Sequence, residues 1–287
     1  MTKRNNNVIL STYERCVIMT ERHKNILEKL THSHKIEVMT LAETIGVSPV
    51  TMRKDLDILE KRGLIKREHG FAIIGSNDDL GNRLAYQYDE KHQIAQLAAA
   101  SIMPGETVMI ESGSCCALLA EVLVKSRRDV TIITNSAYIA GYVRGDPSAK
   151  IVLLGGEYQL ESQVMVGPLV SLCAQRFYVD KLFIGTDGIL QERGLARSTD
   201  YGASQLPAPN FYFTNSNMMR AEAVKAMSRQ AQKTIVLTQS QKFSAHGVVP
   251  VMHAEDVYAV YTDESIPQEM EENLISRNVQ IYKANVQ

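Results

Sequence analysis

The segment VMTLAETIGVSPVTMRKDLDILEKRGLIKREHG, residues Val38–Gly70, carries the signals of two helices joined by a tight turn. Gly46 is placed to end the first helix, because glycine adopts the left-handed backbone of a C′ position at little steric cost. Ser48 and Pro49 then supply an N-cap followed by proline at the first helical position, which is a strong start signal. The second helix is therefore predicted over about residues 49–61.

The flanking sequence adds a third helix and a hairpin. From Thr20 the chain reads TERHKNILEKL, in which Ile26, Leu27 and Leu30 form one apolar stripe of a helix. Residues 64–74 have the pattern of two short strands, the wing. Three short helices and a hairpin, with a tight turn between the second and third helices, are typical of a winged helix-turn-helix.

The predicted third helix leaves a basic face outside the core. Either Val50 or Met52 is expected to be buried with Leu56 and Leu59. Hydroxyl side chains at a helix N-terminus reach phosphate, arginine pairs bidentately with guanine, and basic wing residues suit the DNA backbone or minor groove. The residues predicted to bind DNA are Ser48, Val50, Thr51, Arg53, Lys54, Lys66, Arg67 and His69. The alternative is a solvated helical face that is basic by chance.

The formal net charge of −1 hides an uneven distribution along the 287 residues. Residues 1–75 carry 13 Lys and Arg against 9 Asp and Glu, and the rest carry 18 against 23. An anionic partner is expected for the first part, although chance also produces such an excess. Neither a membrane span nor a secretory signal is recognisable. The 4 cysteines indicate no disulfide framework, and with the histidines they show no zinc spacing, so a cytoplasmic protein without a cofactor is expected.

Beyond about residue 90, apolar strands and helices alternate along the chain. This alternation is typical of a mainly parallel α/β sheet covered on both faces. Strands are predicted at 107–111, 130–134, 150–154, 181–185, 234–238, 257–261 and near 279–282. Helices are predicted at about 92–101, 115–126, 136–143, 168–178 and 219–231.

Glycine and polar residues follow five of these strands, at the edge where such sheets bind ligands. Glu111–Ser114 leads straight into a helix, and a glycine with hydroxyls at a helix N-terminus makes an anion pocket. The other strand ends are Thr134–Ser136, Gly155-Gly156, Gly185–Gly188 and Ser240–Phe243. Each one alone is an ordinary turn, but together they predict a site for a phosphorylated, hydroxyl-rich small molecule.

Both parts of the chain resemble the DeoR family of bacterial transcriptional regulators. The family's Val-Ser-x-x-Thr-x-Arg-x-Asp-Leu core is matched by Val47, Ser48, Thr51, Arg53, Asp55 and Leu56. Its wing pattern, Arg-x-His-Gly-Gly, is matched except at Phe71, a departure that bears on wing conformation or a minor-groove contact. The body matches the family's effector domain along almost its whole length, at Glu90-Lys91, Ile94-Ala95, Ser112–Ser114, Thr134–Ser136, Gly155-Gly156, Val166-Gly167, Asp180-Lys181, Thr186–Gly188 and Lys242-Phe243.

The resemblance implies a body fold like that of sugar-phosphate isomerases. It also implies that a sugar phosphate, or a related phosphorylated metabolite, controls binding to double-stranded operator DNA. By transfer, the effector-binding residues are Ser112, Gly113, Ser114 and Lys242 at the phosphate, with Asn135, Asp187 and Gly156 at the sugar. A homo-oligomer, a dimer or a tetramer, is expected because each recognition helix contacts few bases.

Three departures from the family pattern limit this transfer. Cys115 and Cys116 stand where the family has threonines, which implies weaker phosphate binding or a different ligand; they are either reactive redox thiols or small side chains in a tight pocket. Gln239 replaces an acidic residue. Residues 199–215, TDYGASQLPAPNFYFTN, are an insert that is a lid, an oligomer contact or an unimportant surface loop.

The predicted organisation is a disordered extension at 1–18, a winged helix-turn-helix at 19–75, a linker at 76–90 and an effector-binding and oligomerisation domain at 91–287. For the extension, the alternatives are a start at Met19 and a strand that pairs in an oligomer. The leading hypothesis is a regulator, in this family most often a repressor, of carbohydrate metabolism genes. The alternative is a sugar-phosphate isomerase or deaminase with an attached DNA-binding domain, using Glu111, Asp187 and Lys242 as a general acid/base set.

Overall fold

The computed structural model describes residues 20–61, 64–74, 80–126, 129–144, 150–191, 211–245 and 247–285. The extension predicted at 1–18 and residues 199–210 of the insert lie outside this range. The helices are α1 Glu21–Ser33, α2 Val38–Ile45, α3 Pro49–Lys61, α4 Leu80–Ala85, α5 Tyr88–Ala99, α6 Ser114–Lys125, α7 Ala137–Tyr142, α8 Pro168–Ala174, α9 Met218–Ser228 and α10 Gln268–Ser276. The strands are β1 Lys35–Glu37, β2 Lys66–Glu68, β3 Phe71–Ile73, β4 Thr107–Ile110, β5 Thr131–Thr134, β6 Lys150–Leu153, β7 Glu157–Gln159, β8 Val164–Val166, β9 Val179–Ile184, β10 Gly188–Gln191, β11 Phe211–Asn215, β12 Ala231–Leu237, β13 Val249–His253, β14 Ala259–Asp263 and β15 Gln280–Ala284.

Residues 20–74 form the winged helix-turn-helix that the sequence predicts. The bounds of α3 are those expected, and Gly46 ends α2 with a φ of 75°. The wing pairs β2 with β3, and β1, which the sequence pattern does not indicate, completes a three-stranded sheet in the order β1-β3-β2. His69 and Gly70 form the wing turn with φ values of 47° and 86°, and consecutive positive φ values are typical of two-residue hairpin loops.

A buried carboxylate fixes α3 against α1. Asp55 of α3 is 4% exposed and accepts hydrogen bonds from Arg22 Nε at 2.6 Å and Arg22 Nη2 at 3.0 Å. The buried ring of His23 lies 3.3 Å from the same carboxylate. Burial acts to raise the pKa of Asp55, but the hydrogen bond and charge of Arg22, with His23, outweigh it and hold that pKa below its ordinary value. The position of α3 therefore depends on this bidentate ion pair.

The body is built on a seven-stranded parallel sheet in the order β15-β14-β12-β9-β4-β5-β6. Each of the seven predicted strands overlaps one of these strands. From β4 the chain adds β5 and β6 on one side, and it then crosses to add β9, β12, β14 and β15 on the other. The strand order thus reverses between β4 and β9. In open α/β sheets, ligands bind in the crevice at such a point, beyond the carboxyl ends of the strands.

Two antiparallel pieces were not indicated by the sequence pattern: the β7-β8 hairpin and a small sheet in the order β10-β11-β13. The strand β11 is the end of the insert, and its Phe211 and Phe213 are 6% and 1% exposed. This part of the insert is therefore a core strand, not a lid or a surface loop. Pairing of β11 with strands before and after it in the chain depends on long-range contacts, which local periodicity does not report.

The stretch 76–90, expected as a linker, contains α4 and the start of α5. Leu80 and Leu84 of α4 are fully buried, and they belong to the same apolar cluster as Ile26 of α1 and Ile94 of α5. One apolar core therefore runs from the helix-turn-helix unit into the body, and the described part of the connection is packed helix. No helix among the described residues is both long and apolar enough to cross a membrane.

Candidate functional site

The recognition helix α3 turns its basic face to solvent. Arg53 and Lys54 are exposed, and Val50 is 60% exposed, whereas Met52 is fully buried. Of the two apolar candidates, Met52 is thus the core residue. An exposed valine near the start of a recognition helix suits contact with the methyl group of thymine, and Arg53 suits guanine.

The hydroxyl groups at the start of α3 also serve the helix itself. Ser48 Oγ accepts a hydrogen bond from Thr51 N at 3.1 Å, which makes Ser48 the N-cap. Such a cap stabilises a helix by about 1 kcal/mol. The Oγ atoms of the two residues lie 2.9 Å apart. Because one hydroxyl donates to the other, the second keeps its hydrogen for a phosphate oxygen.

The wing is tied to the recognition helix through Arg67. Its guanidinium forms an ion pair with Asp57, and its backbone N–H donates to Glu60 Oε1 at 2.9 Å. The sequence predicts Arg67 as a DNA contact. In the structure its guanidinium is paired with Asp57, which orients the wing, and a DNA contact from Arg67 stays a prediction. Lys66 and His69 are exposed and remain available to DNA.

A cavity of about 500 Å³ opens beyond the carboxyl ends of β4 and β9, where the strand order reverses. The loops after β4, β9 and β12 form one part of its wall, and α4 and the end of α1 form another. Five of the seven predicted effector-binding residues line it: Ser112, Gly113, Ser114, Asp187 and Lys242. The other lining residues include Thr31, His34, Arg83, Tyr86, Lys91, Glu111, Gly185 and Arg220.

Two glycines allow the loops after β4 and β9 to approach closely. A Cβ on Gly113 would lie 3.2 Å from Gly185 Cα, which is tighter than an ordinary contact. Glu111 joins the same loops, since Oε2 accepts from Gly185 N at 3.1 Å and Oε1 accepts from Ser112 Oγ at 2.7 Å. These bonds fix the segment that caps α6 at Gly113. The first N–H groups of α6 and the hydroxyl of Ser114 are thereby held at the cavity, in an arrangement that suits an anion.

Asp187 is kept ionised at the cavity. Its Oδ2 accepts from both the backbone N–H and the hydroxyl of Ser216, each at 2.8 Å. Burial acts to raise the pKa of Asp187, but the bonds from Ser216 and the charges of Arg83 and Lys242 outweigh it, so the pKa lies below its ordinary value. An ionised carboxylate accepts hydrogen bonds, which suits the hydroxyl groups of a sugar.

The acid/base set of the enzyme hypothesis, Glu111, Asp187 and Lys242, lies on one cavity wall. The two carboxylates are, however, already hydrogen-bonded to the protein, and Asp187 Oδ2 accepts twice from Ser216, which follows β11. Glu111 uses both oxygens for Gly185 and Ser112. The bonds of Glu111 favour a positioning role for that residue, because a general base needs a lone pair directed at its substrate.

Asn135 and Gly156 are not among the residues that line this cavity. Asn135 is 1% exposed, and its Nδ2 donates to Met165 O at 3.0 Å, which ties the end of β5 to β8. A Cβ on Gly156 would lie 2.7 Å from both Val166 O and Val170 Cγ2, so this glycine is needed for packing. The structure therefore does not bring these two residues to the cavity, and a sugar contact at either of them stays a prediction. Their strands, β5 and β6, lie on the far side of β4 from the loop after β9.

Three cationic residues of the wall were missed from the sequence: Arg83, Lys91 and Arg220. Lys91 is 4% exposed, and its Nζ donates to the backbone carbonyls of Arg83 and Tyr86 at the end of α4. Burial, together with the charges of Arg83 and Lys242, lowers the pKa of Lys91 to about 8. The Glu90-Lys91 motif was the available signal for Lys91. Arg83 fell in the expected linker, and Arg220 lies on α9, far along the chain.

The adjacent cysteines are buried free thiols at the start of α6. Burial raises the pKa of Cys115 to about 11, and it raises that of Cys116 well above its ordinary value. The redox hypothesis needs the opposite direction, because the thiolate is the reactive form. A Cβ on Gly113 would lie 3.2 Å from Cys116 Sγ, which favours the interpretation of small side chains in a tight wall.

Gln239 connects the loop after β12 to the start of α5. Its Nε2 donates to Gln87 Oε1 at 2.9 Å and to Glu90 Oε2 at 2.6 Å. Burial and a hydrogen bond with Asp263 raise the pKa of Glu90. An acidic side chain at position 239 would place a further carboxyl group beside those of Glu90 and Asp263. The amide of Gln239 avoids this crowding of negative charge, so it suits this chain better than the family's acidic residue.

Two family models match the chain in succession. The DeoR-like helix-turn-helix domain matches residues 22–77, and the DeoR C terminal sensor domain matches residues 86–205. The first covers the unit that presents α3, and the second includes the loops after β4 and β9.

Relatives with known roles align with nearly the whole chain. The glycerol-3-phosphate regulon repressor of Escherichia coli (strain K12) is 26% identical over 91% of this chain and 98% of its own length. The transcriptional repressor AccR of Agrobacterium fabrum is 26% identical over 90% and 97%. Among solved structures, ribose 5-phosphate isomerase A of Methanocaldococcus jannaschii is 17% identical over 54% of each chain, with a TM-score of 0.35. By its two successive family matches, this chain belongs to the DeoR family of DNA-binding transcriptional regulators.

Proposed function

We propose that this protein represses carbohydrate metabolism genes and that a phosphorylated sugar, or a related phosphorylated metabolite, controls its binding to double-stranded operator DNA. The observation that carries the proposal is the charge of the cavity at the β4/β9 reversal. Four cationic side chains line it, Arg83, Lys91, Arg220 and Lys242, against the two carboxylates of Glu111 and Asp187. A concave site with surplus positive charge favours a small anionic ligand.

The two ends of such a ligand have different partners in this cavity. Ser112–Ser114, at the N-terminus of α6, and Lys242 suit the phosphate group. Among the described residues, both hydrogen bonds to Asp187 end on Oδ2, so Oδ1 is left to accept from a sugar hydroxyl. The volume of about 500 Å³ is within the range of small-molecule sites.

On the DNA side, Val50, Arg53 and Lys54 of α3 are the proposed base and phosphate contacts, with Lys66 and His69 on the wing. A homo-oligomer, a dimer or a tetramer, would place two recognition helices on a repeated half-site. Large apolar side chains that are exposed on the body support a contact between copies. They include Leu160, Leu169, Leu172 and Met218, which are 78%, 56%, 57% and 68% exposed, respectively.

A thermal-shift screen of the full chain tests the effector class. Sugar phosphates and the corresponding free sugars are compared, because a ligand that binds the folded state raises its melting temperature. We expect a rise with at least one phosphate and none with its free sugar. The rise should disappear in Lys242→Ala and persist in Lys283→Ala, a matched control on β15 whose side chain is 41% exposed. A rise with free sugars alone, or one unchanged in Lys242→Ala, contradicts the proposed phosphate site.

A further inference from the structure

Part of the hydrogen-bonding capacity of the Arg83 guanidinium is unused among the described residues. Its Nε and Nη2 are buried and have no hydrogen-bond partner among the described residues. Buried donors without partners are costly, and a charged donor more so, which means that such a group is adapted to a partner that arrives from outside. Arg83 also lines the cavity at the β4/β9 reversal. It lies between the two matched stretches, which end at residue 77 and begin at residue 86.

The acidic groups of the cavity do not fill this role. Asp187 feels the charge of Arg83, but its hydrogen bonds come from Ser216. Glu111 is bonded to Ser112 and to the loop after β9. The partner that Arg83 lacks is therefore a further anion, and a phosphate group with several acceptor oxygens matches a guanidinium fork.

The backbone around Arg83 is fixed by hydrogen bonds from α5 and by the packing of α4 in the apolar core. Lys91 of α5 donates to the carbonyls of Arg83 and Tyr86, which fixes the end of α4. The apolar side of α4 enters the shared core through Leu80 and Leu84. Arg83 is thus presented by a short, anchored helix between the helix-turn-helix unit and the body.

The helix-turn-helix unit contributes to the same cavity through His34, the residue that ends α1. His34 has a φ of 58°, and its backbone carbonyl accepts from Ile74 N, just beyond β3 of the wing, at 2.9 Å. A ligand that touches His34 therefore acts one hydrogen bond away from the wing.

We propose that the phosphate of the effector binds between Arg83 and the Ser112–Ser114 loop, and that His34 closes the same site from the helix-turn-helix unit. This inference rests on the proposed function and adds the way in which the effector changes DNA binding. The ligand bridges the connector helix, the body and the DNA-binding unit. Binding and release of the phosphate then favour different positions of that unit, which is the differential affinity that control requires.

The test uses the full chain with inorganic phosphate as the probe, at constant ionic strength, and then with the sugar phosphate that gives the largest thermal shift. Affinities are measured by thermal shift for the wild type, Arg83→Gln, Arg83→Lys and His34→Ala. Arg176→Gln, an exposed arginine just after α8, is the matched control. DNA affinity is measured by fluorescence anisotropy on a duplex selected in vitro from a random pool, with and without ligand.

Arg83→Gln should lose about tenfold or more in phosphate affinity, and Arg83→Lys, which keeps the charge without the fork, should lose less. His34→Ala should lose part of the phosphate affinity, less than Arg83→Gln loses, together with most of the ligand's effect on DNA affinity. Arg176→Gln should change neither. The melting temperature without ligand reports whether each variant folds, and Arg83→Lys carries the test if Arg83→Gln does not.

Three results count against the inference, and they differ in how much of it they remove. If Lys242→Ala abolishes phosphate binding while both Arg83 variants retain wild-type affinity, the effector class stands and the role of Arg83 is wrong. If the wild type binds neither inorganic phosphate nor any sugar phosphate, the proposed effector class and the inference both fail. A His34→Ala variant with unchanged control of DNA binding removes the bridging role alone.

Discussion

The DNA-binding surface and the effector cavity of this protein are built in opposite ways. The predicted DNA contacts all lie between Ser48 and His69, on one helix and the hairpin that follows it. The cavity wall is collected from residues as far apart as Thr31 and Ala245, on six separate parts of the chain. A surface made of consecutive residues can be recognised by its spacing, whereas a cavity made by topology becomes visible only when the strand order is known.

The two regions also differ in how their charged side chains are paired. In the helix-turn-helix unit, buried or bridging charges are paired internally, as in Arg22 with Asp55 and Arg67 with Asp57. The cations that remain exposed on α3 are left for DNA. In the cavity, two buried nitrogens of Arg83 have no hydrogen-bond partner within the part of the chain that the structure describes, and Lys91 has a lowered pKa. The DNA-binding unit thus has these charges paired before DNA binds, whereas the cavity has charged groups that a ligand can still pair.

The largest stability effect is expected from the internal pair of the first region. Asp55→Ala leaves the Arg22 guanidinium and the buried His23 without their carboxylate, and the loss of charged hydrogen bonds costs about 1.5–3 kcal/mol. Thermal melting should fall, and DNA affinity should fall with it because α3 is no longer fixed on α1. Asp57→Ala, which removes a more exposed pair, should change melting far less. Equal effects of the two substitutions would contradict the structural role of Asp55.

The Asp55 pair also predicts an acid sensitivity. Because the pKa of Asp55 is lowered in the fold, its contribution is present above the pKa of the unfolded chain and is lost as pH falls through the folded value. Melting of the wild type should therefore decline on acidification below about pH 4. The decline should be shallower in Asp55→Ala, as a melting series from pH 7 to pH 3 would show.

Arg53→Ala should cost about 1–3 kcal/mol in specific DNA binding. The reason is the loss of a bidentate contact with a base, so the loss should be specific to the selected site and small on random duplex. Anisotropy titrations on the two duplexes measure the difference. Melting should be unchanged because Arg53 is exposed. Unaltered site affinity would show that α3 does not read bases through this residue.

In the second region, Gly113→Ala should cost about 1 kcal/mol and weaken phosphate binding, because a Cβ there meets the backbone of Gly185 at 3.2 Å. Gly141→Ala on α7 is the matched control, since a Cβ at Gly141 meets nothing within 4 Å. The control should be neutral or slightly stabilising, as expected for alanine in a helix. Thermal shifts with and without sugar phosphate compare the two. If Gly113→Ala binds sugar phosphate normally, the close approach of Gly113 and Gly185 is not needed for the effector site.

The smallest effect is a pH dependence of effector binding. With the pKa of Lys91 lowered to about 8, its positive charge is lost as pH rises through that value, so sugar-phosphate affinity should fall between pH 7.5 and 9.5. The ligand itself stays a dianion there, since its second pKa is about 6. For the unliganded fold the sign is opposite: the unfolded chain binds the extra proton between pH 8 and its ordinary lysine pKa, so this group favours folding more as pH rises. Lys91→Met should flatten the binding profile.

The sequence predicted most of the architecture for a physical reason. Start and stop signals, such as Ser48 with Pro49 and the glycine that ends α2, are local, and the five inner strands of the parallel sheet leave buried apolar runs. The antiparallel β10-β11-β13 sheet joins strands that are far apart in the chain, one of them inside the insert, so no local pattern reports it.

In the candidate site too, residues with a local signal could be predicted and residues placed by the tertiary structure could not. The Ser112–Ser114 loop was found because a glycine between hydroxyls precedes a helix, which is a local signal. Asn135 and Gly156 had similar signals but belong to strands on the far side of β4, and only the strand order separates them from the cavity. Arg83 is not predicted from the sequence because the pattern of residues 76–90 indicates a linker, and the burial of its two nitrogens is a tertiary property.

The most direct test of the account is a DNA-binding titration with and without effector, in wild type and Lys242→Ala. A duplex selected in vitro is titrated with each protein in the presence of the sugar phosphate that gives the largest thermal shift. If the cavity controls DNA binding, the effector should change the DNA affinity of the wild type by about fivefold or more, in one direction. It should change that of Lys242→Ala, whose affinity without effector is normal, by less than about twofold. A phosphate that binds the wild type but leaves its DNA affinity unchanged would contradict the claim that the cavity controls the recognition helix.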